Sequence, residues 1–247
     1  SQVRLWFIDK LEGSVQYHLP SVLRLKGQLD LSVLERSIRA VIERHEVLRT
    51  VIREHEGQGY QIIQTSKGWH LGYSEALGQS KEQIEQQIIQ HIRKPFDLSK
   101  DYMLRAEVVK LNDDEHILLA TIHHIASDGW STSVMVKELV ECYRALSQSQ
   151  EPELLKPEIQ YADYAIWQRK YLQGEVLDKK LGYWKEKLNK VSPLELPTDK
   201  TRPALQSIAG STLSFSLTNE LTEKLETLSK SEQTTMFMTM LGAFKTL

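Results

Sequence analysis

The feature that most constrains the fold of this chain is a change of hydrophobic period at residues 126–129. Before it, the run HILLATIHHI at 116–125 is almost continuously apolar, which is typical of a strand at the centre of a sheet. After Asp128 and Gly129 the apolar residues recur at helical spacing, and Ser131 or Thr132 can cap the start of the helix. The helical stripe consists of Met135, Leu139, Tyr143 and Leu146. A strand that turns directly into a helix predicts an α/β fold.

The sequence on the amino-terminal side of this unit predicts further strands and helices. SVLRLK at 21–26 and YQIIQ at 60–64 have strand character, and residues 103–111 form a hairpin with the central strand through Asn-Asp-Asp. A helix after Gly27 carries one core stripe, and a capping box of Ser80 and Gln83 opens a second helix. The core stripe contains Leu34, Ile38, Val41, His45 and Leu48, so His45 is predicted to be a packing residue. Together these elements predict a mixed sheet covered by helices.

The sequence after this region indicates a second structural part. Aromatic-rich helices are predicted at 161–171 and through 184–188, and three prolines in SPLELPTDKTRP predict an extended crossing segment. Thr212 to Leu217 alternates as a strand, and Thr218 can cap the helix that follows. The last helix is apolar to its end, which predicts a truncated second lobe. The predicted organisation is an amino-terminal lobe at 1–172, a connecting helix and crossing segment at 173–210, and the incomplete start of a second lobe at 211–247.

Composition excludes several classes of protein. The 247 residues include 31 Lys and Arg against 33 Asp and Glu, with no long basic block, so we expect no nucleic-acid partner. No apolar run is long enough to span a bilayer, and the first residues do not form a signal peptide. The single cysteine, Cys142, cannot form a disulfide within the chain. We therefore expect a cytoplasmic protein with no membrane association.

The residues that indicate chemistry are the two histidines at the end of the central strand. Successive strand residues point to opposite faces, so one of His123 and His124 faces a cavity and the other is structural. Histidine titrates near neutral pH and can exchange a proton with an amine or a hydroxyl group. The carboxylate of Asp128 is expected to pair with an arginine and fix the loop, and Gly129 allows the backbone to approach a ligand closely.

Two other interpretations of these histidines compete with this one. A lone histidine on an apolar strand is more often a hydrogen-bonded core residue than a catalyst. Two histidines can also bind a metal, but adjacent strand side chains diverge and no third ligand follows at a spacing typical of zinc. We therefore expect no metal site.

Five segments, in order along the chain, resemble motifs of one known family. HHIASDG at 123–129 is similar to the HHxxxDG signature of condensation domains from nonribosomal peptide synthetases. QVRLWF at 2–7 resembles the family's opening AQxRLWF, and RHEVLRT at 44–50 resembles its RHExLRT. YADYAIW at 161–167 is similar to YxDYAxW, and LGYWKEKL with LELPTDKTRP resembles the stretch that leads into the second lobe. These segments cover nearly the whole chain.

The resemblance implies a fold of two chloramphenicol-acetyltransferase-like lobes, each a two-layer sandwich, with the active site in a tunnel between them. It implies an acyltransferase of secondary metabolite biosynthesis that forms peptide bonds between two carrier-bound substrates. The implied partners are donor and acceptor peptidyl carrier proteins, neighbouring synthetase domains and the remainder of the second lobe. No cofactor is bound by the domain itself, because the phosphopantetheine arms of the carriers hold the substrates.

The resemblance also assigns roles to individual residues. His124 corresponds to the essential second histidine, which lies near the attacking amine, and His123 is assigned to loop geometry. The N–H of Gly129 is a candidate donor to the oxyanion. Arg44 and Trp167 are matched by motifs, but a helix-borne Arg beside core positions and a Trp in an aromatic stripe are more often structural.

Three functional hypotheses follow. The first is a condensation enzyme that joins an L-configured donor to an L acceptor, because HHIASDGWS with RHEVLRT resembles domains of that type. A second hypothesis is a non-catalytic half-domain that acts as a scaffold or docking surface. A third is a stand-alone acyltransferase of the same superfamily that uses coenzyme A, for which the doubled histidine and YADYAIW are unexpected.

Overall fold

A four-stranded mixed sheet organises the first part of the chain. We describe it from a computed structural model that covers residues 2–195, 197–204, 210 and 213–246. By its contacts the chain divides into two units, residues 1–193 and 194–247. The boundary between the two units lies inside the predicted connecting segment 173–210. The predicted division of the chain into three parts remains a prediction. The elements of the first unit are α1 (Gln2–Glu12), β1 (His18–Lys26), α2 (Leu31–Arg44), β2 (Thr50–His55), β3 (Gln58–Ile63), β4 (Gly72–Glu75), α3 (Lys81–Arg93), β5 (Leu104–Asn112), β6 (Glu115–His123), α4 (Gly129–Ser147), α5 (Tyr161–Tyr171) and α6 (Gly174–Lys187).

The strand that carries the histidine pair lies inside the sheet, as its apolar sequence predicts. The strand order is β1-β6-β5-β4, with β6 antiparallel to both of its neighbours and β4 parallel to β5. In the register between β1 and β6, His18 lies opposite His123. The predicted hairpin between β5 and β6 is confirmed, with Asn112 opposite Glu115 at its end. The end of β6 is thus held from both sides.

The side chains of β5 and β6 alternate between two apolar layers. One face of the sheet contributes Val108, Leu118 and Ile122 to the main core. The helices α2 and α4 contribute the fully buried Ile42 and Cys142 to the same core. On the other face a smaller cluster forms against α3. It contains Ala76, Val109, Ile117 and Leu119, with Ile84 and Ile88 of the helix packed on it. Helices on both faces explain why β6 has few polar residues.

A separate two-stranded hairpin of β2 and β3 follows α2 in the chain order. Its turn places Glu56 at φ 49° and Gly57 at φ 74°, as a tight hairpin with two left-handed residues requires. The sequence predicted a strand at 60–64, whereas the structure extends β3 from Gln58 to Ile63 and adds β2. The Glu-Gly pair is a weaker turn signal than Asn-Gly, so β2 was not predicted.

Three predictions about elements are wrong. Helix α2 ends at Arg44, so His45 follows the core stripe as its C-cap residue and is only partly buried. Helix α4 is capped by Asp128, not by Ser131 or Thr132. Thr212 lies outside the described residues, and residues 213–217 form no strand.

The second unit contains two described helices, α7 (Asn219–Ser231) and α8 (Met236–Thr246). The hydroxyl of Thr218 accepts a hydrogen bond from Leu221 N–H at 3.3 Å, which confirms the predicted cap of α7. Apolar side chains of α8 such as Phe237 and Phe244 are exposed within the described structure. None of the described helices has the length and apolar character needed to cross a membrane.

Candidate active site

The end of β6 gives the two histidines opposite environments. His123, the last residue of the strand, is fully buried at 0% exposure, whereas His124 is exposed. The backbone N–H of His124 donates to the carbonyl of Tyr17 at 2.8 Å, so the strand's hydrogen bonding extends one residue beyond β6. Alternation along the strand therefore places one imidazole in the core and the next in the open.

The ring of His124 has a defined tautomer. Its Nδ1 lies 2.5 Å from the carbonyl oxygen of Ser127, and a carbonyl oxygen can only accept a hydrogen bond. Nδ1 therefore carries a proton and donates it to Ser127. In the neutral ring, Nε2 then has a free lone pair, and among the described residues none is bonded to it. This nitrogen can accept a proton or a hydrogen bond from a substrate amine.

The ring of His123 is held at both nitrogens inside the core. Nδ1 accepts a hydrogen bond from Ile125 N–H at 3.0 Å, so Nε2 carries the proton and donates it to Ser14 Oγ at 2.9 Å. The Ser14 hydroxyl in turn donates to Asp9 Oδ1. Burial, together with the nearby His18 and His124, lowers the pKa of His123 to about 4, which keeps the ring neutral at physiological pH. These contacts suit a structural role.

Asp128 caps α4 with its carboxylate. Oδ1 accepts hydrogen bonds from Ser131 N–H at 2.9 Å and from Ser131 Oγ at 2.6 Å. The bond from the Ser131 hydroxyl is the main cause that holds the pKa of Asp128 below its usual value. Among the described residues no arginine pairs with Asp128, and the arginine partner stays a prediction. The carboxylate instead fixes the start of the helix.

Gly129 is the first residue of α4, where backbone N–H groups point out of the helix. No described atom lies within 4 Å of where a Cβ on Gly129 would be, and its N–H has no acceptor among the described residues. The expectation that a glycine lets the backbone approach a ligand is thus consistent with the open space. The N–H can serve as a donor to a developing negative charge at the positive end of the helix dipole.

Arg44 joins α2 to α4. None of its described hydrogen bonds reaches the loop that carries the two histidines. Its Nε lies 2.9 Å from Glu138 Oε1, and its guanidinium also donates to the carbonyl of Leu155. The other oxygen of Glu138 lies 2.5 Å from His45 Nε2. Because Glu138 belongs to α4, this cluster fixes the helix that begins at the site. These contacts suit a structural role for Arg44, and they make His45 a partner of Glu138 instead of the predicted packing residue.

Trp167 lies on α5 in a row of aromatic rings. It stacks on Tyr171 with ring centroids 5.0 Å apart and an angle of 9°, and its ring is 5.7 Å from that of Tyr164. The indole is 54% exposed, so the row is a surface feature and not a core stripe. Among the described residues, no hydrogen bond or ring contact joins Trp167 to the loop at 123–129.

Sequence reasoning missed the residues that support the loop from a distance. Ser14 contacts His123 from 109 positions away and is itself bonded to Asp9, and nothing in their local sequence indicates this role. Gln2 was included only as part of a motif, yet its side chain donates to the carbonyl of Ile125 at 2.8 Å. In the part of the chain that the structure describes, no three His, Cys, Asp or Glu side chains come together as metal ligands would.

Comparison with known proteins decides the family. The sequence profile of the family described as "Condensation domain" matches residues 1–247. The chain belongs to the condensation-domain family. Members of this family are peptide-bond-forming acyltransferases of nonribosomal peptide synthetases, and the curated relatives of this condensation domain are such synthetases.

Two relatives and one solved structure illustrate the similarity. A linear gramicidin synthase protein of Brevibacillus parabrevis is 44% identical over 100% of this chain and 3% of its own length. Nonribosomal peptide synthetase penN of Penicillium thymicola is 39% identical over 100% of the chain and 9% of its own length. The X-domain from teicoplanin biosynthesis superposes with a TM-score of 0.82 at 30% identity, covering 95% of this chain and 52% of that chain. This condensation domain thus spans a small part of the synthetases and about half of the X-domain chain, and the predicted chloramphenicol-acetyltransferase-like fold is confirmed.

Proposed function

We propose that this condensation domain joins a donor acyl or peptidyl thioester to the α-amino group of an acceptor aminoacyl thioester. Both substrates are held on phosphopantetheine arms of carrier proteins, in a cytoplasmic synthetase whose neighbouring domains supply them. The observation that carries the proposal is the exposed His124 ring, whose Nδ1–H is held by Ser127 O while Nε2 faces the open side. The match of the family to the whole chain supports the reaction class.

In the proposed reaction the acceptor amine attacks the donor carbonyl, a carbon–nitrogen bond forms and the carbon–sulfur bond breaks. The amine proton leaves through His124 Nε2 or directly to the departing thiolate, so the donor arm ends as a thiol. A free α-amine has a pKa of about 8, so a useful fraction is unprotonated near neutral pH. We therefore assign His124 mainly the positioning of the amine through a hydrogen bond to Nε2, with proton transfer second.

The remaining site residues have supporting roles in this proposal. The N–H of Gly129 donates to the oxyanion of the tetrahedral intermediate, at the positive end of α4. Asp128 fixes that end of the helix through Ser131, and His123 fixes the loop through Ile125. Arg44 acts only through the cluster with Glu138.

We further propose an L-configured donor and an L acceptor, on the basis of HHIASDGWS at 123–131. Offering the intact protein equal amounts of carriers loaded with L or D donor tests this preference. Faster dipeptide formation from the L donor supports the proposal, and faster formation from the D donor contradicts it.

The test of the main proposal is His124→Ala in the intact protein, mixed with aminoacyl- and peptidyl-loaded carriers. We expect dipeptide formation, measured by mass spectrometry, to fall at least about 100-fold, because loss of the group that positions the amine costs a factor of about 10² and any proton transfer is lost with it. His70→Ala is the matched control, since His70 is an exposed histidine whose described partner is Glu35. Undiminished product from His124→Ala, with unchanged circular dichroism, would rule out the proposed role.

A second candidate function is a docking surface without catalysis. It is favoured by one observation: the X-domain, 30% identical to this chain, has a solved structure described as a complex with OxyB from teicoplanin biosynthesis. If docking is the function, no variant or wild-type protein forms dipeptide, and binding of a partner protein is the same in wild type and His124→Ala. Formation of dipeptide by the wild-type protein would favour the condensation enzyme over the docking surface.

A further inference from the structure

The peptide that follows His124 is held by side chains and not by the sheet. Strand β6 ends at His123, and Ile125 is 5% exposed, so its backbone groups need partners inside the protein. The N–H of Ile125 donates to His123 Nδ1 at 3.0 Å, and its carbonyl accepts from Gln2 Nε2 at 2.8 Å. Gln2 reaches this carbonyl from α1, across 123 positions of the sequence.

The amide of Gln2 is itself oriented by a second glutamine. Gln61 Nε2 donates to Gln2 Oε1. Since Oε1 can only accept and Nε2 can only donate, this bond determines which end of the Gln2 amide faces Ile125. Gln61 belongs to β3 and lies opposite Ile52 in the hairpin, so a structured element fixes its position.

Displacement of Ile125 would affect the His124 ring directly. His124 is the preceding residue, and its Nδ1 depends on the position of Ser127 O at the other end of the same short loop. Without Gln2, the Ile125 carbonyl loses its described donor, and the described hydrogen bonds that still hold the middle of the loop are those from the N–H groups of Ile125 and Ala126 to His123. A shift of this loop moves the nitrogen that faces the substrate amine.

We propose that Gln2 is a positioning residue for His124, and that Gln61 sets its orientation. The inference rests on the proposed function, because it assigns a role in the same reaction. Gln2 makes its described hydrogen bonds to protein atoms and not to the open side of His124. Its loss therefore lowers kcat and leaves KM for either loaded carrier nearly unchanged.

The first experiment compares Gln2→Leu with Gln16→Leu in the intact protein. Gln16 is an exposed glutamine whose Nε2 donates at 3.3 Å to Gly13 O, so it is a matched control outside the loop. We expect Gln2→Leu to lower kcat about tenfold, as a small misplacement of a catalytic group does, and to speed amide hydrogen exchange of residues 123–128. Gln16→Leu changes neither. Unchanged kcat together with unchanged exchange in Gln2→Leu overturns the inference.

The second experiment tests the polarity of the chain of hydrogen bonds. Gln2→Lys with Gln61→Glu keeps a donor toward Ile125 O and an acceptor partner on β3, and we expect kcat within about threefold of wild type. The reversed pair, Gln2→Glu with Gln61→Lys, has the same charges but offers no donor to Ile125 O. We expect its kcat to fall at least as far as that of Gln2→Leu. Equal rates for the two pairs contradict the inference.

These outcomes separate the inference from the proposed function. If His124→Ala forms as much dipeptide as wild type, the proposed function fails, while the hydrogen exchange of residues 123–128 still reports whether Gln2 holds the loop. If His124→Ala is inactive and Gln2→Leu is as fast as wild type, the function stands and the positioning role of Gln2 is wrong.

Discussion

His123 and His124 show which properties of a residue are readable from its local sequence. Their divergence follows from strand alternation, so a buried and an exposed ring could be predicted from the position at the end of an apolar strand. The tautomer of each ring could not be predicted, because it depends on how the loop folds, which brings Ser127 O to one ring and Ile125 N–H to the other. Ser14 is a distant partner, and one sequence gives no signal that pairs residues 109 positions apart.

Gly129 allows a direct test of the oxyanion donor. Proline is tolerated at the first position of a helix, and Asp128 has an extended backbone with φ −141° and ψ −176°, which is compatible with a following proline. Gly129→Pro therefore removes the N–H while α4 is retained. We expect the rate of dipeptide formation to fall about 100-fold, the typical effect of losing one oxyanion donor.

The control for this prediction is Gly129→Ala, which keeps the N–H and adds a Cβ where the described structure has open space. Circular dichroism should show the same helix content for both variants. Equal rates of condensation in the Pro and Ala variants would remove Gly129 from the proposed mechanism.

At the level of elements, predictions were reliable where the determining contacts are local. The capping box of α3 was predicted from Ser80 and Gln83, and both of its hydrogen bonds are present. The cap of α4 was predicted wrongly because Ser131 and Thr132 are also of capping residue types, although they lie inside the helix, and because Asp128 had been assigned a role in the loop. The strand predicted at Thr212–Leu217 is absent from its described residues, 213–217, since alternation alone does not supply a partner strand.

The Glu138 cluster predicts how strongly α2 and α4 depend on each other. The side chains of Arg44 and Glu138 are only 17% and 11% exposed, so Glu138→Ala leaves a mostly buried guanidinium without its carboxylate. We expect the free energy of unfolding to decrease by about 3 kcal/mol in urea titrations, the scale of breaking a buried ion pair.

Glu141→Ala on the same helix is the matched control, because Glu141 pairs with Arg144 on the exposed side of α4. This variant should unfold at nearly the wild-type urea concentration. A Glu138→Ala protein as stable as the Glu141→Ala protein would show that the cluster contributes nothing to holding the two helices.

At the scale of the whole molecule, buried histidines predict how stability depends on pH. Burial is the first cause that lowers the pKa values of His18, His91 and His123, so folding disfavours the protonated form of all three rings. The unfolded chain binds protons at an ordinary pKa of 6.5, before the folded chain does. Stability is therefore full above pH 6.5 and decreases as the pH falls toward 4.

His123 should account for a large part of this slope, on the order of 3 kcal/mol over the full interval. His123→Gln offers one acceptor and one donor in place of the ring but does not titrate, so its stability should change less between pH 7.5 and 5. Urea unfolding at several pH values measures both slopes. The same slope in wild type and variant would show that other groups cause the pH dependence.

The arrangement of the sheet was only partly predictable. The central place of β6 and its hairpin with β5 follow from composition and from the Asn-Asp-Asp turn. The pairing of β1 with β6 and of β4 with β5 could not be predicted. Pairing between strands far apart in sequence is decided by the packing of the whole domain.

The loop at 123–129 has practical consequences for recombining such domains. Its supports come from Gln2 and Asp9 on α1, from Ser14 and Tyr17 before β1, and from Gln61 on β3. A chimera whose junction falls anywhere between these positions and the loop would combine supports from one parent with histidines from another. A junction after Ser131 keeps the loop and its supports from the same parent, so the first half of the chain should be exchanged as one unit.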